Sequence, residues 1–458
     1  MTRIFRLSVA AAALSCTMAT PVLAQDVTVT ADELAAMRAQ LQAMNARIDQ
    51  LEGELAAAKA ANDAQDATIA AQAETVAAIP VAKEPDSKIA WKGAPVIEGK
   101  GGWSFKPRGR LMYDAGFTNA PDSTGRSDGF GNEVRRARLG VEGDIPGGFG
   151  YKFELDFAHN EVEAADAYLS YTDGPIEVIV GHQNNFQSLE ELTSSLNTTF
   201  IERAAFTDAF AFERRIGASV TYKGGDFMAQ GGVFTDNFAD TETNNRGADA
   251  RLVYMPKMGK TQLHFGGSVH YNDIAEDGAT VRYRQRPLVH FTSERFINTG
   301  NIPADSEFGL GLEAAMISGP FHAAAEGYWQ KVNLAGAGAN PTFFGGYAEV
   351  GYYLTKGDTR GYKSGKFDRS KPANPFNKGG MGSLQLNLRY DFLDLNDAGI
   401  VGGTQDGLLA SLIWKPTDYT LFGVNYGILQ YDDAVYALAD GDRSYNVDAF
   451  GVRAQIDF

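Results

Sequence analysis

The chain has 458 residues, among them 51 Gly, 19 Tyr and 28 Phe, with 44% hydrophobic residues and a mean hydropathy of −0.24. Its longest apolar run, Val9 to Leu14, falls far short of the ~20 residues a spanning helix needs, which excludes a helical membrane protein but not a transmembrane β-barrel, whose alternating strands keep hydropathy low. With 41 Lys+Arg against 57 Asp+Glu, the acid excess argues against a nucleic-acid partner, which would show a basic footprint.

Residues 1–24 read as a secretory signal. Arg3 and Arg6 form its charged start, Leu7 to Leu14 its apolar stretch, and Val22-Leu23-Ala24 precede a cut at Gln25. A lipoprotein signal ending at Cys16 is the weaker alternative, because Leu14 sits two residues before the cysteine rather than three. Cys16 is the single cysteine, so the mature chain has no disulfide or thiolate ligand. No metal or other cofactor is expected.

Thr30-Ala31-Asp32-Glu33 has the form of a capping box, in which hydroxyl and carboxylate serve exposed N–H groups at a helix start. An unbroken 3-4 spacing follows through Leu34, Met37, Leu41, Met44, Ile48, Leu51, Leu55, Ala58, Asn62, Gln65, Ile69, Gln72 and Val76, until Pro80 and Pro85 end the helix. A lone helix with this seam would leave it in water, so residues 25–80 are expected to be a coiled-coil oligomerisation segment. The alternative is one amphipathic helix packed on its own domain. Asn62 in a core position suits register fixing, and the stripe leaves dimer and trimer open. Residues 81–102, with Pro85 and Pro95, are expected to be a linker.

From Trp103 the rhythm changes to period 2. Leu111 and Tyr113 alternate with Arg110 and Asp114, and Tyr151, Phe153, Leu155 and Phe157 with Lys152, Glu154 and Asp156. Phe450, Val452, Ala454, Ile456 and Phe458 close the chain in the same way, a pattern that resembles the C-terminal signature of outer-membrane barrels. Aromatic residues near strand ends (Tyr113, Tyr171, Tyr222, Tyr254, Trp329, Trp414, Tyr426) suit the two interfacial girdles. Turn signals divide 103–458 into seventeen candidate strands. Only 279–291 has long connections on both sides, and bacterial barrels have even strand numbers. It is therefore assigned to an inward loop, which predicts an all-β, 16-stranded antiparallel transmembrane β-barrel. Residues 357–379 break the pattern, being long and basic where a short turn belongs.

Sixteen strands enclose a water channel too wide to discriminate without a constriction. Residues 183–213, with Asn184, Asn185, Glu190 and Arg203, are the candidate constriction loop. In Thr280-Val281-Arg282-Tyr283-Arg284-Gln285-Arg286-Pro287, three arginines share one face of an extended chain at about 6.5–7 Å spacing. Such a row lets an anion hop between weak sites rather than stall in one. Arg108, Arg110, Arg136 and Arg138 share the expected lumen face. The plainer readings are solvated surface arginines for the first group, and ion pairs with Asp114, Glu142 and Glu154 for the second.

The run Glu133-Val134-Arg135-Arg136-Ala137-Arg138-Leu139-Gly140-Val141-Glu142-Gly143, then Leu155-Asp156-Phe157-Ala158, Asp166-Ala167-Tyr168-Leu169 and Val180-Gly181-His182-Gln183, resembles the phosphate-selective porin O and P family of outer-membrane trimers. Leu189 to Ser195, Phe200-Ile201-Glu202-Arg203, Tyr283 to Pro287, Gly319-Pro320-Phe321 and Gly346 to Val350 continue the match in order. The resemblance implies that Arg282, Arg284 and Arg286 form an anion-drawing ladder, with Arg135 and Arg136 part of the narrow site. That family often has lysine where this chain has Asn184-Asn185. The expectation is an anion-preferring diffusion porin, for phosphate or polyphosphate among small hydrophilic solutes. It would sit as a homotrimer in the lipid of a Gram-negative outer membrane, its stalk in the periplasm. The alternative is weak or cationic selectivity, with the stalk as a cell-wall tether. A barrel enzyme is disfavoured, since HExxH does not occur and no triad partners are placed.

Overall fold

The computed structural model describes residues 31–77, 87–126, 129–158, 161–239, 245–274 and 278–458. The leader, Thr30, Pro80 and Pro85 lie outside them. The chain divides into two units, Met1–Glu84 and Pro85–Phe458.

In the first unit, helix α1 spans Ala31–Ala77, 47 residues, or about 70 Å at ~1.5 Å rise per residue. It is Ala-, Gln- and Glu-rich, without internal proline, so propensity favours it throughout. Its apolar stripe is uncovered, from 40% exposure at Leu34 to 71% at Leu55.

The second unit is a closed antiparallel barrel. Its sixteen strands among the described residues are β1 Ser104–Asn119, β2 Gly129–Ile145, β3 Phe149–Asp156, β4 Glu163–Asp173, β5 Ile176–Asn184, β6 Arg214–Gly224, β7 Phe227–Phe234, β8 Arg246–Tyr254, β9 Thr261–Asp273, β10 Ile302–Ser318, β11 Phe321–Leu334, β12 Thr342–Tyr353, β13 Ser383–Asp397, β14 Ile400–Thr417, β15 Thr420–Asp432 and β16 Tyr445–Asp457. Each pairs with the next, and β16 returns to β1 from Asp448↔Asn119 to Asp457↔Arg110. Closure leaves no unpaired edge, as lipid requires. The last residue seals the seam: Phe458 N donates to Gly109 O at 3.0 Å. Its ring lies within 2.1 Å of where a Cβ on residue 109 would stand, so a larger residue there would push the ring aside.

The side-chain pattern is inverted relative to a water-soluble protein. Leu252, Phe265, Leu388 and Leu408 are exposed on the outside, while Arg251, Glu313, Arg389 and Asp391 are buried inside. That is the distribution of a wall with lipid without and polar groups within. The expected girdle residues Tyr113, Tyr171, Tyr222, Tyr254, Trp329 and Tyr426 are all exposed.

Part of the expected linker 81–102 is corrected. Lys88–Lys92 pairs with Ala94–Glu98 around Gly93 (φ 80°), and Ile97 and Glu98 pair with Phe105 and Ser104 of β1. The alternation Ile89-Ala90-Trp91 and Val96-Ile97 supplies strand propensity that the flanking prolines obscured.

Three segments fold into the lumen. The β5–β6 loop enters with short helices α2 Leu189–Leu192 and α3 Ala205–Ala209. Its Phe200, Ile201, Phe206 and Phe212 pack with Leu288, Val289, Phe296 and Ile297 of the β9–β10 loop, against Tyr328, Phe343, Leu393 and Tyr431 of the wall. Each such side chain removed from water contributes roughly 1.5–3 kcal/mol. The segment 279–291 is indeed no barrel strand, keeping only a two-residue pairing, Thr280–Val281 with Pro303 and Ile302. From the opposite, short-turn end, the basic 357–379 stretch carries a hairpin, Gly361–Lys363 with Lys366–Asp368. Arg251 holds it by donating Nη2–H to Gly365 O at 2.8 Å, and His264 Nδ1 lies 2.7 Å from Tyr362 Oη.

Candidate functional site

Between these inserted segments and the barrel wall lie two cavities, the lower against β1–β7 and the upper also reaching Asp391, Gln405, Leu409 and Leu429 of β13–β15. The upper, toward the long-loop end, has a volume of about 510 Å³ and includes Arg135, Arg286, His290 and Asp208 in its lining. The lower, toward the short-turn end, has about 400 Å³ and includes Lys152, Lys223 and Lys366. Arg136, Arg138, Arg203 and Arg214 line both, and so mark the throat between them.

Two consecutive arginines face inward because β2 is bulged. The register against β1 slips between Met112↔Arg136 and Tyr113↔Val134, so Arg135 is the extra residue. A bulge breaks strict alternation and re-aims a side chain. Arg135 then makes a forked pair with Glu202 of the constriction loop, Nε–Oε1 2.7 Å and Nη2–Oε2 3.1 Å. Burial pushes the Glu202 carboxyl upward, but Arg135, with Arg136 and Arg453 behind it, outweighs burial and holds it well below the usual range.

The other throat arginines differ in their compensation. Arg138 pairs with Asp156 (2.7 Å) and Glu154 (3.2 Å). Arg214 pairs with Asp166 at 2.8 Å. Arg203 ties the loop to itself, donating to the carbonyls of Glu190, Glu191 and Thr193 at 2.9–3.1 Å, with Glu191 Oε2 3.3 Å away. Arg136 has no carboxylate within ion-pairing distance among the described residues, its guanidinium touching Met112 Sδ at 3.8 Å. An unpaired guanidinium in a confined space leaves its N–H donors free for a solute.

Charge is graded along the axis. The upper cavity sets six arginines against seven carboxylates. The lower sets nine arginines and lysines against Asp166 and Glu177, although Glu142 and Glu154 stand behind its wall arginines. Lys366, at the tip of the inserted hairpin, opens on this lower cavity. The enclosing protein, then Lys152 and Arg251, lower its pKa to about 8.

The expected site residues are partly united here. Arg282, Arg284 and Arg286 do share one face of the inward segment, exposed or half-buried, while Tyr283 and Gln285 between them are buried. Arg282 Nε donates to Asn298 Oδ1 at 2.9 Å. Arg284 has no side-chain ion pair among the described residues, and Arg286 meets Asp208. Of the eight arginines, Arg135, Arg136, Arg138 and Arg286 line the upper cavity, and Arg108 and Arg110 the lower. Arg108 is paired with Glu142, and Arg110 with Glu154 at 3.3 Å and Ser195 Oγ at 3.0 Å. Asp114 is bound elsewhere, to Arg453 at 2.7 and 2.8 Å.

The constriction-loop residues divide as well. Asn184 ends β5 and lines the lower cavity, while Asn185 is buried against Gln187. Glu190 turns from the channel to the wall, accepting from Arg389 Nη2 at 2.8 Å. Sequence reasoning missed Glu326, whose carboxylate accepts from Ser188 Oγ (2.8 Å), Leu189 N (2.9 Å), Glu190 N (2.7 Å) and Tyr347 Oη (3.0 Å) and so anchors the loop. It missed Arg214 and Lys366 too. Their basic character on a lumen strand and on the anomalous turn was the available signal.

Comparison with known proteins agrees with this architecture. A protein of Caulobacter vibrioides described as uncharacterized is 46% identical over 471 residues, covering 98% of this chain and 94% of its own. An anion-selective porin from Comamonas acidovorans superimposes with a TM-score of 0.51 at 12% identity, over 78% of this chain and 100% of that one. The outer-membrane protein OmpT of Vibrio cholerae does so with a TM-score of 0.50 at 11% identity, over 81% and 100%. At such identities the likeness concerns the porin fold, which fits a Gram-negative outer membrane. The family described as phosphate-selective porin O and P matches residues 105–458, the whole barrel after the first residue of β1, and the chain belongs to that family.

Proposed function

We propose that this porin is a diffusion channel that prefers small anions, phosphate among them, and works as a homotrimer whose stalk self-associates in the periplasm. The observation that carries the anion preference is the throat, where Arg136 stands without a carboxylate partner above a cavity lined by nine cations and two anions. The net acidity of the chain does not oppose this, because selectivity follows charge at the constriction. Arg282 and Arg284, which no carboxylate neutralises among the described residues, would gather anions above the throat. The uncovered stripe of α1 supports self-association, since two or three copies would bury what one leaves in water.

The second reading is a weakly selective pore, favoured by the pairing of Arg108, Arg110, Arg135 and Arg138 with carboxylates. Single channels in planar bilayers under a salt gradient separate the two. An anion-signed reversal potential in KCl, with current block by added phosphate, is expected. R282A/R284A/R286A should weaken that shift. A cation-signed potential unmoved by the triple variant rejects the anion reading. The same preparation without residues 25–80 should conduct normally yet cross-link less as an oligomer.

A further inference from the structure

The lowest rung of the arginine row is neutralised from the facing loop. Arg286 donates its backbone N–H to Asp208 Oδ2 at 2.8 Å and its Nη1–H to Oδ1 at 3.4 Å. Asp208 belongs to α3 of the constriction loop, so this contact also joins the two inserted loops. Both side chains reach water, Arg286 at 26% and Asp208 at 41% exposure, and both line the upper cavity. Arg286 Nε donates to Thr292 O at 3.2 Å. The field there is otherwise positive: burial, then Arg286 and with it Arg284, lower the nearby Arg295 to about 10, with Asp208 pulling the other way.

From this contact we infer that Asp208 is a specificity-determining residue that weakens the last anion station before the throat. The inference rests on the anion reading of the site. An arriving anion must displace the Asp208 carboxylate from Nη1, whereas it meets Arg282 and Arg284 with no carboxylate to displace. Conduction needs stations that are strong enough to enter and weak enough to leave. A carboxylate already seated on the last guanidinium supplies that weakness where Arg135, Arg136 and Arg138 crowd together just beyond. The backbone hydrogen bond keeps Asp208 nearby during the exchange, so it can resume its place once the anion has moved on.

The test is D208N, which keeps one oxygen acceptor for the backbone N–H of Arg286 while removing the charge and replacing the oxygen that faces Nη1 by an amide NH2. Reversal potentials of D208N, R286Q and D208N/R286Q are compared with the unmodified channel at low salt. D208N alone should raise the anion-to-cation permeability ratio by about two- to fivefold, roughly 0.4–1 kcal/mol. In the R286Q background the gain should vanish, the signature of a coupled pair. Raising salt above ~1 M should erase it, as screening requires. Heat-modifiable electrophoretic mobility reports that each variant is a folded barrel. No change in D208N, or an equal gain in the R286Q background, overturns the inference. The direction of the D208N shift decides it, whereas the starting preference of the unmodified channel decides the anion reading, so the two fail separately.

Discussion

The two sides of the barrel interior use the same alternation for opposite ends. Along β10–β15 the inward positions are Tyr328, Phe343, Tyr347, Leu393 and Tyr431, with Glu326, Glu349 and Arg389 buried among them. This side holds the inserted loops by aromatic packing and by carboxylates that accept loop N–H groups. Along β1–β7 the inward Arg110, Arg136, Arg138, Asp166 and Arg214 line the open cavities, with Glu154 buried behind them. The comparison teaches that a sixteen-stranded porin is narrowed by filling one half of its lumen rather than by shrinking the ring. The filled half positions the loop, and the open half meets the solute. Buried charge has a different meaning on the two sides. Arg389 between Glu190 and Glu349, at 2.8 and 2.7 Å, is a fastening, whereas Arg136 with no such partner is a reception point.

The sharpest way to break that contrast is to neutralise one arginine on each side. A unit charge ~4 Å from an ion at an effective dielectric of ~20 is worth ~4 kcal/mol, and counter-ions in the lumen screen much of that. R136Q should therefore lower the anion-to-cation permeability ratio by about tenfold, ~1.4 kcal/mol, with the barrel intact. R138Q, which removes a charge already paired with Asp156, should do clearly less. Equal losses in both would show that pairing does not matter here.

The filled half can be tested through its anchor. E326A strips four hydrogen bonds from the carboxylate that holds Ser188, Leu189, Glu190 and Tyr347. It leaves buried N–H groups unsatisfied, at roughly 1–3 kcal/mol each. Single-channel conductance should rise and become noisy as the loop departs from the wall, with a smaller loss of selectivity than in R136Q. A quiet channel of unchanged conductance would mean that the apolar packing of Phe206 and Phe212 suffices.

Much of this division was hidden in the sequence, for definable reasons. The dyad rhythm exposed the sixteen strands, and the long connections on both sides of 279–291 marked it as an inward loop. Those are local signals. The bulge at Arg135 is a matter of register against β1, and a one-residue slip is invisible in a single strand. The anchoring role of Glu326 depends on a loop some 136 residues away in the chain, and no pattern near Glu326 announces it. Arg108 and Arg138 were placed on the lumen face by alternation, but which carboxylate each would meet depended on the strand across from it. The stretch 357–379 was recognisable as anomalous from its length and lysines, yet its inward hairpin follows from distant partners, Arg251 and His264.

Lys366 offers the gentlest test of the two-sided interior, because pH alone applies it. Its ammonium opens on the lower cavity with a pKa of about 8, whereas arginines keep their charge well above that. At pH 7 most of the Lys366 population is protonated and adds to the positive lining. Between pH 7 and pH 9.5 the group loses its proton, so anion preference should fall, by less than the loss caused by R136Q. The sign follows from the lowered value, since a lysine at its ordinary pKa would stay charged across the same interval. In K366M the preference should start lower and stay flat over that range. A decline of the same size in K366M would place the titrating group elsewhere, with Lys415, whose Nζ donates to Ser370 O of the inserted segment, the first to substitute. A flat profile in the unmodified channel would mean that the hairpin tip lies outside the path of the ions, and the open half would then be defined by β1–β7 and the constriction loop alone.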